Sequence, residues 1–169
     1  SSYRNYGQSP LERLKKLNIL DKNLTLTHCI YLNKNFKKEK LSNKDLNYLK
    51  NSGTNVCHCP VVYLRKGYGL NSFQLIRNSG INVGLGTDTV PPDIINEMQT
   101  ASLLSKIKDD ESLSGTAKEV YDAATLGGAK ALNRNDLGRL EKGCRADLVI
   151  INISNIRTGL VDDPIKSLV

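Results

Sequence analysis

Short apolar runs and amphipathic stretches alternate along the first two thirds of the chain. The runs that have the length and composition of buried strands lie at residues 24–28, 54–58 and 81–86. Stretches with apolar residues at helical spacing follow each of them, at residues 42–53, 71–79 and 93–108. Alternation at this spacing predicts an α/β fold in which helices cover a parallel sheet.

Two further helices are indicated by their start signals. Ser9 suits an N-cap position and Pro10 suits the first turn that follows it. Thr116 and Glu119 have the spacing of a capping box, in which each side chain bonds the backbone N–H of the other residue. We predict that the second of these helices ends near Leu132.

The remaining segments have weaker patterns. Residues 61–69 contain two glycines and bulky side chains, and we predict a long loop there. Residues 138–140 and 146–151 are predicted to be short strands joined by a turn, and residues 158–169 show no clear period.

Each of the three predicted strands ends in a polar residue, and these are His28, His58 and Asp88. Active sites of parallel α/β folds form where the carboxyl ends of the strands meet. Taken singly, a histidine at a strand end has a structural alternative as a hydrogen-bonding residue, and Asp88 has one as a helix cap. Three such residues at one edge favour a catalytic site.

Charge and composition exclude several classes of function. The net charge is +7, and four of the lysines cluster at Lys34, Lys37, Lys38 and Lys40. No aromatic residues for base stacking accompany this cluster, and the chain has no Trp and only two Phe. We therefore predict no nucleic-acid partner. No apolar run approaches the roughly 20 residues needed to span a bilayer, so we expect a cytoplasmic protein without membrane contact.

The cysteines are expected to be reduced thiols, mostly buried beside strands. Four occur, at Cys29, Cys57, Cys59 and Cys144. Cys57 and Cys59 share a strand face while His58 points the other way, and Cys-X-Cys lacks the usual zinc-ligand spacing. A structural zinc site is not expected here.

Five segments together resemble the amidohydrolase superfamily, most closely its branch of cytosine deaminase-like and chlorohydrolase-like enzymes. They are THCIYL (27–32), CHCP (57–60), GLGTD (84–88), AATLGGAKAL (123–132) and LGRLEKGCRADLV (137–149). The resemblance implies strands six to eight of a (β/α)₈ barrel in residues 1–136. Residues 137–169 would then be a segment of the family's small β-sandwich. A whole barrel needs about 250 residues, so only part of one is expected.

The resemblance also implies a chemistry, namely metal-dependent hydrolysis of C–N or C–Cl bonds, with deamination of a purine, pyrimidine or triazine ring. Asp88 corresponds to a ligand of a divalent zinc or iron ion and to the base that takes a proton from water. His28 corresponds to a catalytic residue beside the substrate, and His58 and Tyr63 are assigned to substrate binding.

The family's strand-one and strand-five metal ligands have no counterpart in this chain. We therefore expect the isolated chain to be inactive, and to form a homo-oligomer or to pair with a missing N-terminal half. The alternative is a non-catalytic α/β interaction module with structural histidines at the strand ends.

Overall fold

The computed structural model describes residues 2–29, 42–68, 73–152 and 162–169. The elements in chain order are α1 (Ser2–Tyr6), α2 (Pro10–Lys16), β1 (Thr25–Thr27), α3 (Asn43–Ser52), β2 (Asn55–His58), α4 (Pro60–Leu64), α5 (Phe73–Asn78), β3 (Val83–Leu85), α6 (Ile94–Asp109), α7 (Ala117–Asp122), a π-helical segment (Ala123–Gly127), α8 (Gly128–Ala131) and α9 (Pro164–Leu168). The three predicted strands and the helices between them are confirmed. The lysine cluster at 34–40 lies outside the described residues.

The three strands form one parallel sheet in the order β1-β2-β3. Val56 in β2 pairs with Leu26 in β1 and with Val83 in β3. Parallel register brings the carboxyl ends of all three strands to one edge of the sheet. The chain is thus α/β in architecture, as the alternating pattern predicts.

Local capping signals determine where several helices begin. The Ser9 hydroxyl accepts the Glu12 N–H, and the Glu12 carboxylate accepts the Ser9 N–H at 2.8 Å. Thr116 and Glu119 form the predicted capping box at the start of α7. Both pairs satisfy backbone donors that the first helical turn leaves without partners.

The hydrophobic core lies between the sheet and the helices that pack on it. Its buried residues are Leu11, Cys29, Leu46, Leu49, Val56, Phe73, Ile76, Ile81, Val83, Met98, Ala101, Val120 and Ala123. They come from both strands and helices, so the alternating elements are held together by one continuous apolar cluster.

A close approach of backbones fixes the segment after α7 against β3. A Cβ atom on Gly127 would lie 2.2 Å from the carbonyl oxygen of Val83, and one on Gly84 would lie 3.3 Å from the Gly128 backbone. No Cβ atom fits at 2.2 Å, so residue 127 must be glycine, whereas a Cβ at residue 84 would be tightly packed. The π-helical segment and α8 therefore lie directly on the last strand.

The predicted loop at 61–69 is wrong, because its first part is the helix α4. Pro60 occupies the first helical position, where its fixed φ suits a helix, and Pro60 and Val61 are buried. The β-branched Val61 and Val62 weaken local helix propensity. Tertiary packing overrides that preference.

The strands predicted at 138–140 and 146–151 are also wrong for this structure, which has turns and irregular chain there. Val149 and Ile150 are 85% and 89% exposed. A strand needs a partner for its backbone groups, and the described residues provide none at this place.

Near the C-terminus, the short helix α9 was not predicted; Asp163 caps it and Pro164 begins it. No helix in the described ranges is long and apolar enough to cross a membrane.

Candidate active site

His28 and Asp88 lie in contact at the carboxyl edge of the sheet. His28 follows β1 directly, and Asp88 lies three residues beyond β3. The distance from His28 Nε2 to Asp88 Oδ2 is 3.2 Å. The strand-end argument predicts this proximity, and the structure confirms it; the chemical roles of the two residues stay predictions.

The backbone at His28 is held in an unfavourable conformation. Its φ is +65°, and the N–H of Cys29 bonds the carbonyl of Thr27 at 2.8 Å, which closes a tight turn centred on His28. A turn of this kind with positive φ is rare and costs on the order of 1–3 kcal/mol. The N–H of His28 also donates to the carbonyl of Cys57 at 2.8 Å. Neighbouring strands thus fix the direction of the imidazole.

Asp88 also has positive φ, at +44°, but its side chain is 59% exposed. Among the described residues its one ion-pair contact is with His28. The carboxylate therefore has oxygen lone pairs directed toward open space, where a cation or a substrate is able to reach them.

Tyr63 of α4 packs against His28 with its edge. The ring centroids are 4.6 Å apart and the planes meet at 67°. Lys66 Nζ lies 5.4 Å from the centroid of the same tyrosine ring. The structure thus brings together three of the four residues that the sequence assigned to the site.

The electrostatic surroundings keep His28 neutral near pH 7. Burial lowers the pKa of His28 below 6.5, and the charge of Lys66 adds to this, while the Asp88 carboxylate opposes both. A neutral imidazole facing a carboxylate through Nε2 is most stable with its proton there. The buried Nδ1 has no hydrogen-bond partner among the described residues and is then an acceptor.

His58 lies in a different environment. It is 1% exposed, and its ring centroid lies 6.0 Å from that of Phe73 on α5. Neither ring nitrogen has a hydrogen-bond partner in the described structure. Burial, assisted by the charge of His28, lowers the pKa of His58 to about 4. Its assignment to substrate binding stays a prediction.

Glu97 is a buried acid near this edge that the sequence did not single out. It is fully buried on α6, and its Oε2 accepts the N–H of Val61 at the start of α4 at 3.1 Å. Burial raises the pKa of Glu97, and the Val61 N–H and the charge of Arg65 oppose that rise. Glu97 therefore anchors the helix that presents Tyr63. The signal available in the sequence was the position of Glu97 next to the apolar Met98, inside the predicted helix at residues 93–108.

The site fits part of a metal centre. Asp88 offers an exposed carboxylate of the kind that zinc accepts, with an imidazole beside it. In the part of the chain that the structure describes, no three His, Cys, Asp or Glu side chains are grouped closely enough to hold an ion. Catalytic zinc sites use three protein ligands, so this donor set is incomplete without further residues.

Comparison with known proteins identifies the proteins that this chain resembles. The sequence profile of the amidohydrolase family matches residues 4–168. A 5-methylthioadenosine/S-adenosylhomocysteine deaminase of Pyrococcus horikoshii is 34% identical over 168 residues, which are 97% of this chain and 38% of that protein. The enzyme of the same name from Teredinibacter turnerae is 33% identical, over the whole of this chain and 37% of its own length.

Solved structures likewise match nearly all of this chain but little more than a third of their own chains. An adenosine deaminase from Xanthomonas campestris with bound zinc superposes with a TM-score of 0.88 at 29% identity, over 99% of this chain and 37% of that one. An atrazine chlorohydrolase from Arthrobacter aurescens with zinc gives a TM-score of 0.84 at 26% identity, over 99% and 36%. The chain thus spans little more than a third of the length of the proteins it matches.

Proposed function

Because the chain belongs to the amidohydrolase family, we propose that it supplies one side of the active site of a zinc-dependent deaminase of nitrogen heterocycles. The observation that carries this proposal is the contact between His28 and Asp88 at the carboxyl edge of a parallel sheet. Adenine nucleosides such as 5-methylthioadenosine are the favoured substrates, since the curated relatives are deaminases of that class.

In this proposal β1, β2 and β3 are strands six, seven and eight of a (β/α)₈ barrel within residues 1–136. Residues 137–169 belong to the small β-sandwich, whose other strands would cover the exposed Val149 and Ile150. The free edges of β1 and β3 within the described sheet would pair with the other barrel strands.

Asp88, His28 and Tyr63 have different roles in the proposed deamination. Asp88 would be one ligand of the metal, which would supply Lewis acidity and lower the pKa of water at the site. The Asp88 carboxylate accepts the proton of the attacking water and returns it to the leaving amine. His28 contacts Asp88 through Nε2 and fixes the orientation of the carboxylate. Tyr63 covers the imidazole from one side and limits access of water.

The proposal is tested by measuring ammonia release with the complete polypeptide that contains this chain, loaded with zinc. The substrates are adenosine, 5-methylthioadenosine and S-adenosylhomocysteine, with a chlorotriazine for comparison. Asp88→Asn should lower kcat by roughly 100-fold or more, since a positioned acid–base group contributes about 10²–10⁴ in rate. The 169-residue chain alone should release no ammonia, because its described residues contain no group of three side chains able to hold a metal ion.

Asp110→Asn is the matched control. Asp110 also has positive φ, at +53°, but it ends α6 and lies outside the site. The substitution therefore changes the same charge in the same backbone conformation and should leave kcat unaltered. Turnover of Asp88→Asn at the rate of the control, or no turnover of any of these substrates, would overturn the proposal.

A further inference from the structure

We propose that Cys57 and Cys59 form a thiol–disulfide exchange site, which a low-molecular-weight disulfide converts into an internal Cys57–Cys59 disulfide. The two sulfur atoms are 3.8 Å apart. None of the four cysteines, all of which lie in the described ranges, forms a disulfide in the structure. Nothing in the proposed deaminase chemistry uses this pair.

The backbone allows the two sulfur atoms to approach each other. Residues two apart on a strand share a face and lie about 6.6 Å apart, near the upper limit of about 6.8 Å for Cα atoms bridged by a disulfide. β2 ends at His58, and Cys59 has left the extended conformation with φ −129° and ψ 79°. Formation of the bond requires the sulfurs to close from 3.8 Å to about 2.05 Å.

Gly86, which directly follows β3, provides the space for both thiols. A Cβ atom at this glycine would lie 2.8 Å from Cys57 Sγ and 3.2 Å from Cys59 Sγ. The two sulfur atoms therefore lie over the same glycine and are held on one side of the sheet.

The two thiols differ in exposure and in pKa, and these differences decide which thiol reacts first. Cys57 is half-buried, whereas Cys59 is 2% exposed. The hydrogen bond from Cys59 lowers the pKa of the Cys57 thiol to about 7 against the effect of burial, and the same bond raises the pKa of Cys59. Cys57 is thus the accessible nucleophile and Cys59 the resolving thiol.

The exchange balances in two steps. The Cys57 thiolate attacks one sulfur of the small disulfide, so that a mixed disulfide forms and one small thiolate leaves. Cys59 then loses its proton and attacks Cys57 Sγ, which forms the internal bond and releases the second small thiolate. The two protons from the cysteines end on the two small thiols. The protein is oxidised by two electrons and the small disulfide is reduced.

The test treats the reduced 169-residue chain with oxidised glutathione, blocks the remaining thiols with an alkylating agent and maps the peptides by mass spectrometry. Cys57 and Cys59 should be found bonded to each other, with the mass lowered by two hydrogen atoms. Cys59→Ser should stop at the mixed disulfide and retain one glutathione on Cys57. In Cys57→Ser, Cys59 should stay unmodified over the same period because it is buried.

Cys144→Ser is the control, since the half-buried Cys144 lies far along the chain from the pair and its loss should leave formation of the internal disulfide unchanged. The internal disulfide is looked for in the unaltered chain, so the main result does not depend on whether the serine variants fold. Unmodified Cys57 and Cys59 under conditions that place glutathione on Cys144 would overturn the proposal. A mixed disulfide that persists on Cys57 in the unaltered chain would overturn it too.

Discussion

The burial of His58 predicts a specific loss of stability in acid. Its ring is 1% exposed, and its pKa is lowered from 6.5 to about 4 by burial and by the charge of His28. Between pH 6.5 and 4 the unfolded chain therefore binds one more proton at this residue than the folded chain does. The free energy of unfolding rises with pH wherever the unfolded state binds more protons, so it should fall as the solution is acidified through this interval.

The size of the effect follows from the displacement of the pKa. Each tenfold change in proton affinity corresponds to about 1.4 kcal/mol. A pKa lowered from 6.5 to about 4 therefore removes about 3 kcal/mol between those pH values. Above pH 6.5 both states are neutral and His58 contributes no pH dependence. Below pH 4 both are charged and the loss is complete.

The perturbation that isolates this effect is His58→Leu. Leucine suits the apolar surroundings beside Phe73, and it removes two buried nitrogens that have no partner among the described residues. An unsatisfied buried polar group costs about 1–3 kcal/mol, so the variant should be at least as stable as the unaltered chain at pH 7. As pH falls to 4, its free energy of unfolding should exceed that of the unaltered chain by about 3 kcal/mol more than at pH 7.

Urea unfolding followed by circular dichroism at several pH values between 7.5 and 4 measures this difference. His28→Asn is the control: the Asp88 carboxylate opposes burial at His28, so most of the acid dependence should remain in that variant. The chain has only two histidines, so each proton resonance is assigned by comparing the two variants in an NMR titration. If the free energies of unfolding of the unaltered chain and of His58→Leu differ by the same amount at every pH down to 4, the reasoning is refuted.

Two further predictions concern packing and the anchoring of α4. Gly127→Ala should lower the free energy of unfolding by about 1–3 kcal/mol or more, because its Cβ would lie 2.2 Å from Val83 O. Gly128→Ala, whose Cβ meets nothing within 4 Å, should be neutral or stabilising by up to about 1 kcal/mol in the same urea assay; equal losses in both would contradict this account. Glu97→Leu should cost about 1–3 kcal/mol by removing the acceptor of the Val61 N–H, whereas Glu97→Gln keeps an acceptor oxygen and should cost less. Equal losses at Glu97 would show that this hydrogen bond does not anchor α4.

Features with short-range causes could be predicted from the sequence. The N-cap at Ser9, the capping box of Thr116 and Glu119 and the glycine after α3 act within one helical turn, so their sequence signals determine the structure directly. The contact between His28 and Asp88 is long-range, yet it follows from parallel strands, whose carboxyl ends share an edge.

Features that depend on distant partners could not be predicted in the same way. Glu97 is a charged residue in a long helix, and its buried carboxylate accepts the Val61 N–H from 36 positions away. The helix α4 likewise follows from packing that opposes its β-branched residues. Residues 146–151 have strand composition but remain irregular, because composition does not supply the partner strand that pairing requires.

Unfavourable conformations are concentrated at the carboxyl edge of the sheet. Most described residues with positive φ are glycine, Asn or Asp, which tolerate that region, and histidine occurs there more often than most side chains, whereas Cys29 is of a type that rarely adopts it. His58, at the end of the adjacent strand, is buried with no hydrogen-bond partner among the described residues, again at a cost to stability. Asparagine or glycine at residue 28 would satisfy the backbone at lower cost. The fold alone therefore does not require an imidazole at residue 28, whereas the proposed active site does, because it needs Nε2 in contact with the Asp88 carboxylate.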